Sequence, residues 1–167
     1  MIAKKYILKT LENLEDLYNS ALNSPNPQDA TLFSKLALLE YCGWIEESMD
    51  DIAKRAVKYK IRTLHFQQIF KDRVEGIHGF LYKKHFRTML IQTMGIVEME
   101  KLQTFLSSTN QLGILDSQLE TLKAHRDKAA HTWIGVMNTY PAPSLSIYSL
   151  SKLYPILRNI YSFIIRL

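Results

Sequence analysis

The sequence predicts an all-α protein, and three observations carry that prediction. The 167-residue chain holds only 6 glycines and 5 prolines, whereas a β-sheet protein needs many turns and would be richer in both. Apolar residues make up 47% of the chain and charged residues 22%, a balance typical of a folded domain. Apolar residues also recur every three or four positions over long stretches, as on one face of an amphipathic helix. We expect one domain spanning 1–167, built as a single bundle of five or six helices.

The first half of the chain predicts three helices separated by short breaks. Apolar residues recur at helical spacing up to about residue 22, and the two prolines of SPNPQD (24–29) end that helix. The helical pattern resumes after this linker and stops near Gly76 or Gly79. The helices expected in this half are 2–22, about 30–58 and 62–75.

The second half predicts three more helices. Gly95 lies inside the first of them and would bend it, although a single glycine is usually tolerated. Ser117 and Glu120 fit the S-x-x-E capping box and predict a helix start. Pro155 lies inside the last helix, which therefore either starts late or kinks. The expected elements are a helix at 80–107, a turn at 107–113, a helix from 117 to about 138, a loop at 139–146 and a helix at about 149–167.

The predicted helix at 30–58 carries charged residues beside its apolar stripe. An acidic and aromatic row with helical spacing follows one face, and an exposed acidic edge is its simpler interpretation. The members of this row are Glu40, Trp44, Glu47 and Asp51. A basic cluster comes next, and it is either solvated or in contact with the phosphate backbone of a nucleic acid. The members of this cluster are Lys54, Arg55, Lys58, Lys60 and Arg62.

The net charge and the cysteine content limit which partners and which kinds of metal or disulfide site the protein can have. The net charge of +5 is compatible with a polyanionic partner but does not establish one. Cys42 is the only cysteine, so an internal disulfide and a cysteine-rich metal site are excluded, and the cytoplasm is the simplest location. We expect no membrane partner, because the N-terminal segment lacks the apolar core of a signal peptide and no apolar run reaches a membrane-spanning length. We expect no metal or other cofactor, since His, Asp and Glu form no cluster with convincing metal-ligand spacing.

The stretch KAHRDKAAHTW (123–133) holds the residues with the clearest catalytic potential. RNA carries its own nucleophile, the ribose 2′-OH, and a histidine can remove its proton or protonate the leaving 5′-oxygen. A guanidinium can stabilise the charge that builds on the phosphoryl oxygens. Arg126 and His131 are therefore candidate catalytic residues for metal-independent RNA cleavage, which would leave a 2′,3′-cyclic phosphate and a 5′-OH. The alternative is a solvated helix face.

The spacing of the two residues has a structural consequence. On an ideal helix, positions five residues apart differ by about 140° around the axis. Arg126 and His131 of one straight, isolated helix cannot jointly hold one phosphate. Either the helix distorts near His131, or a second copy of the chain completes the site. The spacing thus favours a homodimer if the motif is catalytic, with two arginines and two histidines in one cleft.

The segment RDKAAH, in a penultimate predicted helix followed by a proline-containing loop and one last helix, resembles the HEPN family (higher eukaryotes and prokaryotes nucleotide-binding domains). The family signature is an arginine, a polar residue, three further residues and a histidine, which here are Arg126, Asp127 and His131. Many members are metal-independent RNases that act as dimers in toxin–antitoxin or antiviral defence.

The resemblance implies roles for further residues. Arg126 and His131 would be catalytic and Asp127 would orient or support them. An acidic residue on an early helix often lies near the family's site, which makes Glu40 or Glu47 a candidate. A subset of the family has a modifiable tyrosine two residues after the histidine, but Trp133 stands there and has no hydroxyl. The resemblance therefore does not imply control by tyrosine modification at that position.

From its position in the sequence, Lys128 is a candidate phosphate contact, with simple solvation as the alternative. The leading hypothesis for the whole chain is a HEPN-type endoribonuclease whose partners are RNA, a second copy of the chain and an antitoxin or other defence-system protein. The alternative is a non-catalytic HEPN-like helical module that binds protein or nucleic acid through the same surface. A helical regulatory subunit without a nucleic-acid role is a third hypothesis.

Overall fold

A computed structural model describes residues 3–26, 28–58, 60–132 and 139–167, and within these ranges the regular structure is entirely helical, without strands. The all-α prediction is therefore confirmed. The elements are α1 (Lys4–Leu22), α2 (Gln28–Val57), α3 (Leu64–Glu75), a π-helical turn (Tyr82–Phe86), α4 (Arg87–Met94), α5 (Ile96–Ser108), α6 (Gln111–His131) and α7 (Pro143–Ile164).

Helix α2 is the centre of the fold. It contacts α1, α3, α4, α6 and α7 and buries residues on several sides. Small side chains such as Ala37, Ser48 and Ala53 are fully buried where neighbouring helices approach it. A helix that is buried around most of its circumference needs apolar or small residues on more than one face, which explains its weak amphipathic pattern. Its exposed edge includes Glu40 and Glu47.

Polar groups inside the bundle link three of the helices. The hydroxyl of Tyr41 on α2 donates to Ser149 Oγ on α7 over 3.3 Å, and Ser149 Oγ donates to Gln118 Oε1 on α6 over 3.1 Å. Burial raises the pKa of Tyr41 well above its usual range, so the phenol stays protonated and keeps its donor role. Buried hydroxyls need such partners, and this chain fixes the register of α6 and α7 against α2.

Gly95 divides the helix that the sequence predicts at 80–107. Its backbone has φ +86° and ψ 164°, a conformation that residues with a Cβ rarely adopt. The N–H of Gly95 completes α4 by donating to Ile91 O, and its carbonyl accepts from Met99 N–H at the start of α5. The helix expected to bend is therefore broken, and the described residues form seven α-helices instead of five or six.

Several predicted boundaries also move. The capping box at Ser117 is wrong: α6 already begins at Gln111, and Ser117 Oγ donates back to Ile114 O within that helix. The end predicted near residue 138 is also wrong, since Thr132 is extended and α6 ends at His131; residues 133–138 lie outside the described ranges. The late start of the last helix is wrong as well, because α7 begins at Pro143 and runs through Pro155.

The core is one continuous apolar cluster to which α1, α2, the π-helical turn and α4–α7 contribute. A small second cluster lies beneath α3 and consists of Ala53, Val74 and Met89, with Phe70 and Ile77 packed against it. Within the described residues, no helix is both long and apolar enough to cross a membrane.

The contrast between Gly95 and Gly43 gives a test of the break between α4 and α5. Gly43 lies within α2, and a Cβ added at either glycine meets no atom within 4 Å, so the backbone alone decides the outcome. We expect Gly95→Ala to lower the free energy of unfolding by about 1–3 kcal/mol, because alanine is strained at this φ. Gly43→Ala should instead raise it by about 0.5–1 kcal/mol. Urea denaturation measures both changes, and a neutral Gly95→Ala would contradict the strained break.

Candidate active site

Helix α6 carries the R-x4-H segment and is held in place by its buried face. Leu115, Leu119, Leu122 and Ala129 of α6 are buried, and the helix contacts α2, α5 and α7. Ala129 lies between Arg126 and His131 on the chain and is fully buried, so the last turn of α6 is anchored. The helix continues without interruption to His131. No distortion brings His131 round to the Arg126 side.

The Arg126 guanidinium is oriented by two carboxylates. Its Nη2 donates to Glu46 Oε1 of α2 over 3.3 Å, and its Nη1 donates to Asp127 Oδ1 over 3.4 Å. About a third of each of these three side chains is exposed, 35% for Arg126, 34% for Glu46 and 37% for Asp127. Pairs this exposed contribute at most about 1 kcal/mol each to stability. Their main effect is to fix the direction of the guanidinium while part of it faces solvent.

Asp127 joins a second cation to this arrangement. It pairs with Lys123, one turn earlier on α6, as well as with Arg126. The Lys123 hydrogen bond, and then the Arg126 contact, hold the pKa of Asp127 below its usual range. The four residues Glu46, Arg126, Asp127 and Lys123, called here the charge cluster, therefore alternate in sign and hold two cations and two carboxylates.

Cys42 lies beneath the charge cluster, one helical turn before Glu46. The side chain is 2% exposed, and the charges of Arg126, Glu46 and Asp127 act on it. Burial raises the pKa of Cys42 to about 12. The thiol is thus protonated at neutral pH and unsuited to act as a nucleophile. It serves as a small apolar support for the residues above it.

His131 and Lys128 lie at the exposed C-terminal end of α6. Lys128 Nζ donates to Thr139 O over 3.4 Å, so this lysine contacts the segment that precedes α7. Thr132, the residue after the helix, shares a short hydrogen bond with Tyr140, and its carbonyl accepts from Lys35 of α2. These contacts hold the end of α6 on both sides. Trp133 lies outside the described residues.

The acidic residue that contacts Arg126 differs from the two candidates that the family resemblance suggests. Glu40 and Glu47 line an open groove between α1 and α2, together with Tyr6 and Trp44. Glu46 instead points toward α6. The one available sequence signal was the position of Glu46, four residues after Cys42 and next to Ile45 in the apolar stripe, which places it on an inward-facing part of α2.

His85 lies near the charge cluster, although the sequence predicted no site role for it. It belongs to the π-helical turn, and its Nδ1 accepts a hydrogen bond from Leu81 N–H over 3.1 Å. Gly79, with φ +107°, packs against the ring so closely that an added Cβ would lie 2.8 Å from Cε1. Partial burial, and then the charges of Lys84 and Lys123, lower the pKa of His85. The ring is thus held as a neutral imidazole with its proton on Nε2.

The described residues contain no group of three or more His, Cys, Asp and Glu side chains that could hold a metal ion. The site as described therefore consists of the charge cluster, His85 beside it and His131 at the end of α6.

The comparison with protein-family models finds no matching family, and the comparisons with curated proteins and with solved structures find no match either. The resemblance to the HEPN family therefore depends on the sequence motif and stays a prediction.

Opposite charges near His85 allow a test of the local electrostatics. The Lys123 cation lowers the pKa of His85, whereas the Glu46 carboxylate raises it. We expect Lys123→Gln to raise the His85 pKa and Glu46→Gln to lower it, each measured by NMR titration of the ring protons. In the native protein the titration midpoint should lie below 6.5, the ordinary value for histidine. Shifts of the same sign in both variants would contradict this arrangement.

The depressed pKa also sets a direction for stability. The unfolded chain binds the His85 proton more readily than the folded chain does, so this residue lowers the free energy of unfolding as the pH falls below about 6.5.

Proposed function

We propose that this protein is a metal-independent endoribonuclease of the HEPN type that acts as a cytoplasmic homodimer. The observation that carries the proposal is the partly exposed Arg126 guanidinium, which Glu46 and Asp127 orient on the helix that ends in His131. An oriented guanidinium with part of its surface open to solvent suits a phosphodiester oxygen. An exposed histidine suits proton transfer to or from a ribose hydroxyl or a leaving 5′-oxygen.

The unbroken path of α6 supports the dimer. Because the helix stays regular, Arg126 and His131 of one protomer point about 140° apart. A second copy related by a two-fold axis brings its Arg126 to the His131 of the first copy, and its own His131 to the Arg126 of the first. In such a site His131 of one protomer moves the proton, while Arg126 of the other stabilises the phosphoryl charge. Lys128, on the exposed side, is a further contact for the RNA backbone.

A role in toxin–antitoxin or antiviral defence follows from the family resemblance alone, with an antitoxin or other defence protein as regulator. The non-catalytic binding module is the alternative. It is favoured if the protein binds RNA or protein tightly and leaves the RNA intact.

RNA cleavage in the presence of EDTA tests the proposal directly. We expect the purified protein to cut labelled RNA, leaving 2′,3′-cyclic phosphate ends that mass spectrometry identifies. Arg126→Ala and His131→Ala should each reduce the cleavage rate by at least about 10²-fold, the usual cost of losing a charge stabiliser or a general acid–base group. His65→Ala, at an exposed position on α3, is the matched control and should cleave normally. Equal activity of His131→Ala and wild type would refute the proposed chemistry.

Mixed dimers test whether the two residues come from different protomers. Arg126→Ala and His131→Ala are co-expressed with different tags, and the mixed dimer is purified. One of its two sites then retains both Arg126 and His131, so we expect about half of the wild-type rate. No recovery of activity, or a strict monomer in analytical ultracentrifugation at micromolar concentration, would show that the site is not shared.

A further inference from the structure

A second concave site lies apart from the charge cluster, at the C-terminal end of α2. It is a cavity of about 640 Å³ between the last turns of α2, the segment after them, α3 and α7. The volume is within the range of roughly 300–1,000 Å³ found for ligand pockets. None of its lining residues belongs to the charge cluster. It is called here the basic cavity.

The walls of the basic cavity combine positive charge with aromatic rings. Three cations line it, two in the last turn of α2 and one directly after that helix, and with the one carboxylate of Asp51 the lining has a net charge of +2. The cations are Lys54, Arg55 and Lys58. Phe70 of α3 and Tyr161 of α7 supply the rings, and Phe70 is held by the small apolar cluster beneath it. Cations with neighbouring aromatic faces are typical of sites that bind single-stranded nucleic acid.

Arg55 is the residue that most needs a ligand. It is half-buried and, within the described part of the chain, makes no ion pair. Withdrawing a cation from water without a partner costs free energy, and an incoming anion removes that cost. The planar guanidinium offers paired N–H donors that match two oxygens of one phosphate.

A purely structural role does not account for the basic cavity. Lys54 and Arg55 lie in the last turn of α2, where cations favour the negative end of the helix dipole. That effect explains two charges at most. The sequence from 54 to 62 contains five cations and no carboxylate, and Lys60 and Arg62 continue the run beyond the helix end.

The charge cluster itself attracts polyanions weakly. Its two cations are matched by two carboxylates, so its net charge is zero. Affinity for RNA depends mainly on phosphates that an excess of positive charge neutralises, and the lining of the basic cavity has such an excess. Lys54 lies eight residues after Glu46 on the same helix, which is about 12 Å along its axis. The two positions also differ by about 80° around the axis, and a strand of a few nucleotides is long enough to span this separation.

We propose that the basic cavity binds the phosphate backbone of single-stranded RNA next to the segment that is cleaved. The choice of RNA as the ligand depends on the proposed function. Arg55 holds one phosphate through paired hydrogen bonds, Lys54 and Lys58 neutralise its neighbours, and the rings of Phe70 and Tyr161 support the bases. The contacts are independent of base sequence, because they involve charge and stacking alone.

The salt dependence of RNA binding tests this assignment. Anisotropy of a short fluorescein-labelled single-stranded RNA is measured in EDTA over a series of KCl concentrations, with His131→Ala in every protein to prevent cleavage. The cavity variant adds Lys54→Ala, Arg55→Ala and Lys58→Ala. The matched control removes two exposed lysines and one exposed arginine elsewhere, with Lys5→Ala, Lys9→Ala and Arg166→Ala. Thermal melting confirms that both are folded, and Arg55→Gln replaces the triple change if it unfolds.

We expect the cavity variant to bind the RNA at least about tenfold more weakly than the control, which has the same net charge. The slope of log Kd against log salt concentration should fall by about 2, since each phosphate contact to a single strand contributes roughly 0.7. Equal affinities and slopes for the cavity variant and the control would overturn the assignment. Displacement of the RNA by AMP at a similar concentration would also overturn it, in favour of a mononucleotide pocket.

The outcomes separate this inference from the proposed function. RNA bound through the basic cavity by a wild-type protein that does not cleave it supports the cavity and refutes the ribonuclease. Cleavage by wild type with no effect of the cavity substitutions on affinity supports the ribonuclease and refutes the cavity.

Discussion

Burial of α2 on several sides is the constraint on which the rest of the structure depends. Five other helices pack against it, so its sequence has to supply small or apolar residues in more than one direction. Three of its polar regions are directed toward particular neighbours. Glu46 faces α6, Tyr41 reaches Ser149 of α7, and the last turns face α3 and α7 across the basic cavity. A rotation of α2 about its axis by one residue would therefore disrupt all three of these arrangements at once.

The proposed function would divide two tasks along this one helix. The middle of α2 orients the guanidinium of Arg126 by means of Glu46, in a cluster without net charge. The end of α2 and the residue after it carry more positive than negative charge beside aromatic rings. Orientation of a charged side chain requires close partners of opposite sign, whereas attraction of a polyanion requires an excess of positive charge. A single location cannot meet both requirements well, and separating them on one helix keeps their distance constant.

The parts of the fold that depend on local pattern were predictable, and those that depend on tertiary contacts were not. The sequence located α1, α2 and α3 within a few residues, because apolar periodicity marks α1 and the prolines and glycines between the helices mark their ends. The break at Gly95 depends on a backbone angle that one glycine permits but does not require. Ser117 and Glu120 matched a helix start, yet packing of α6 extends the helix to Gln111.

The same division holds for the candidate site. Arg126, Asp127 and His131 were identified from the motif, and the contact between Arg126 and Asp127 is local in sequence. Glu46 was missed, because acidic residues recur on two faces of α2 and the rotation of α2 relative to α6 selects between them. The proximity of His85 depends on a π-helical turn, which has no pattern in the sequence.

The ion pairs of the charge cluster have a consequence for anion binding. Glu46 and Asp127 already pair with the Arg126 guanidinium, so a small inorganic anion gains little free energy by displacing one of these carboxylates. Under the proposed function, an RNA strand that also binds at the basic cavity would compensate for that exchange, so the charge cluster would discriminate against small anions.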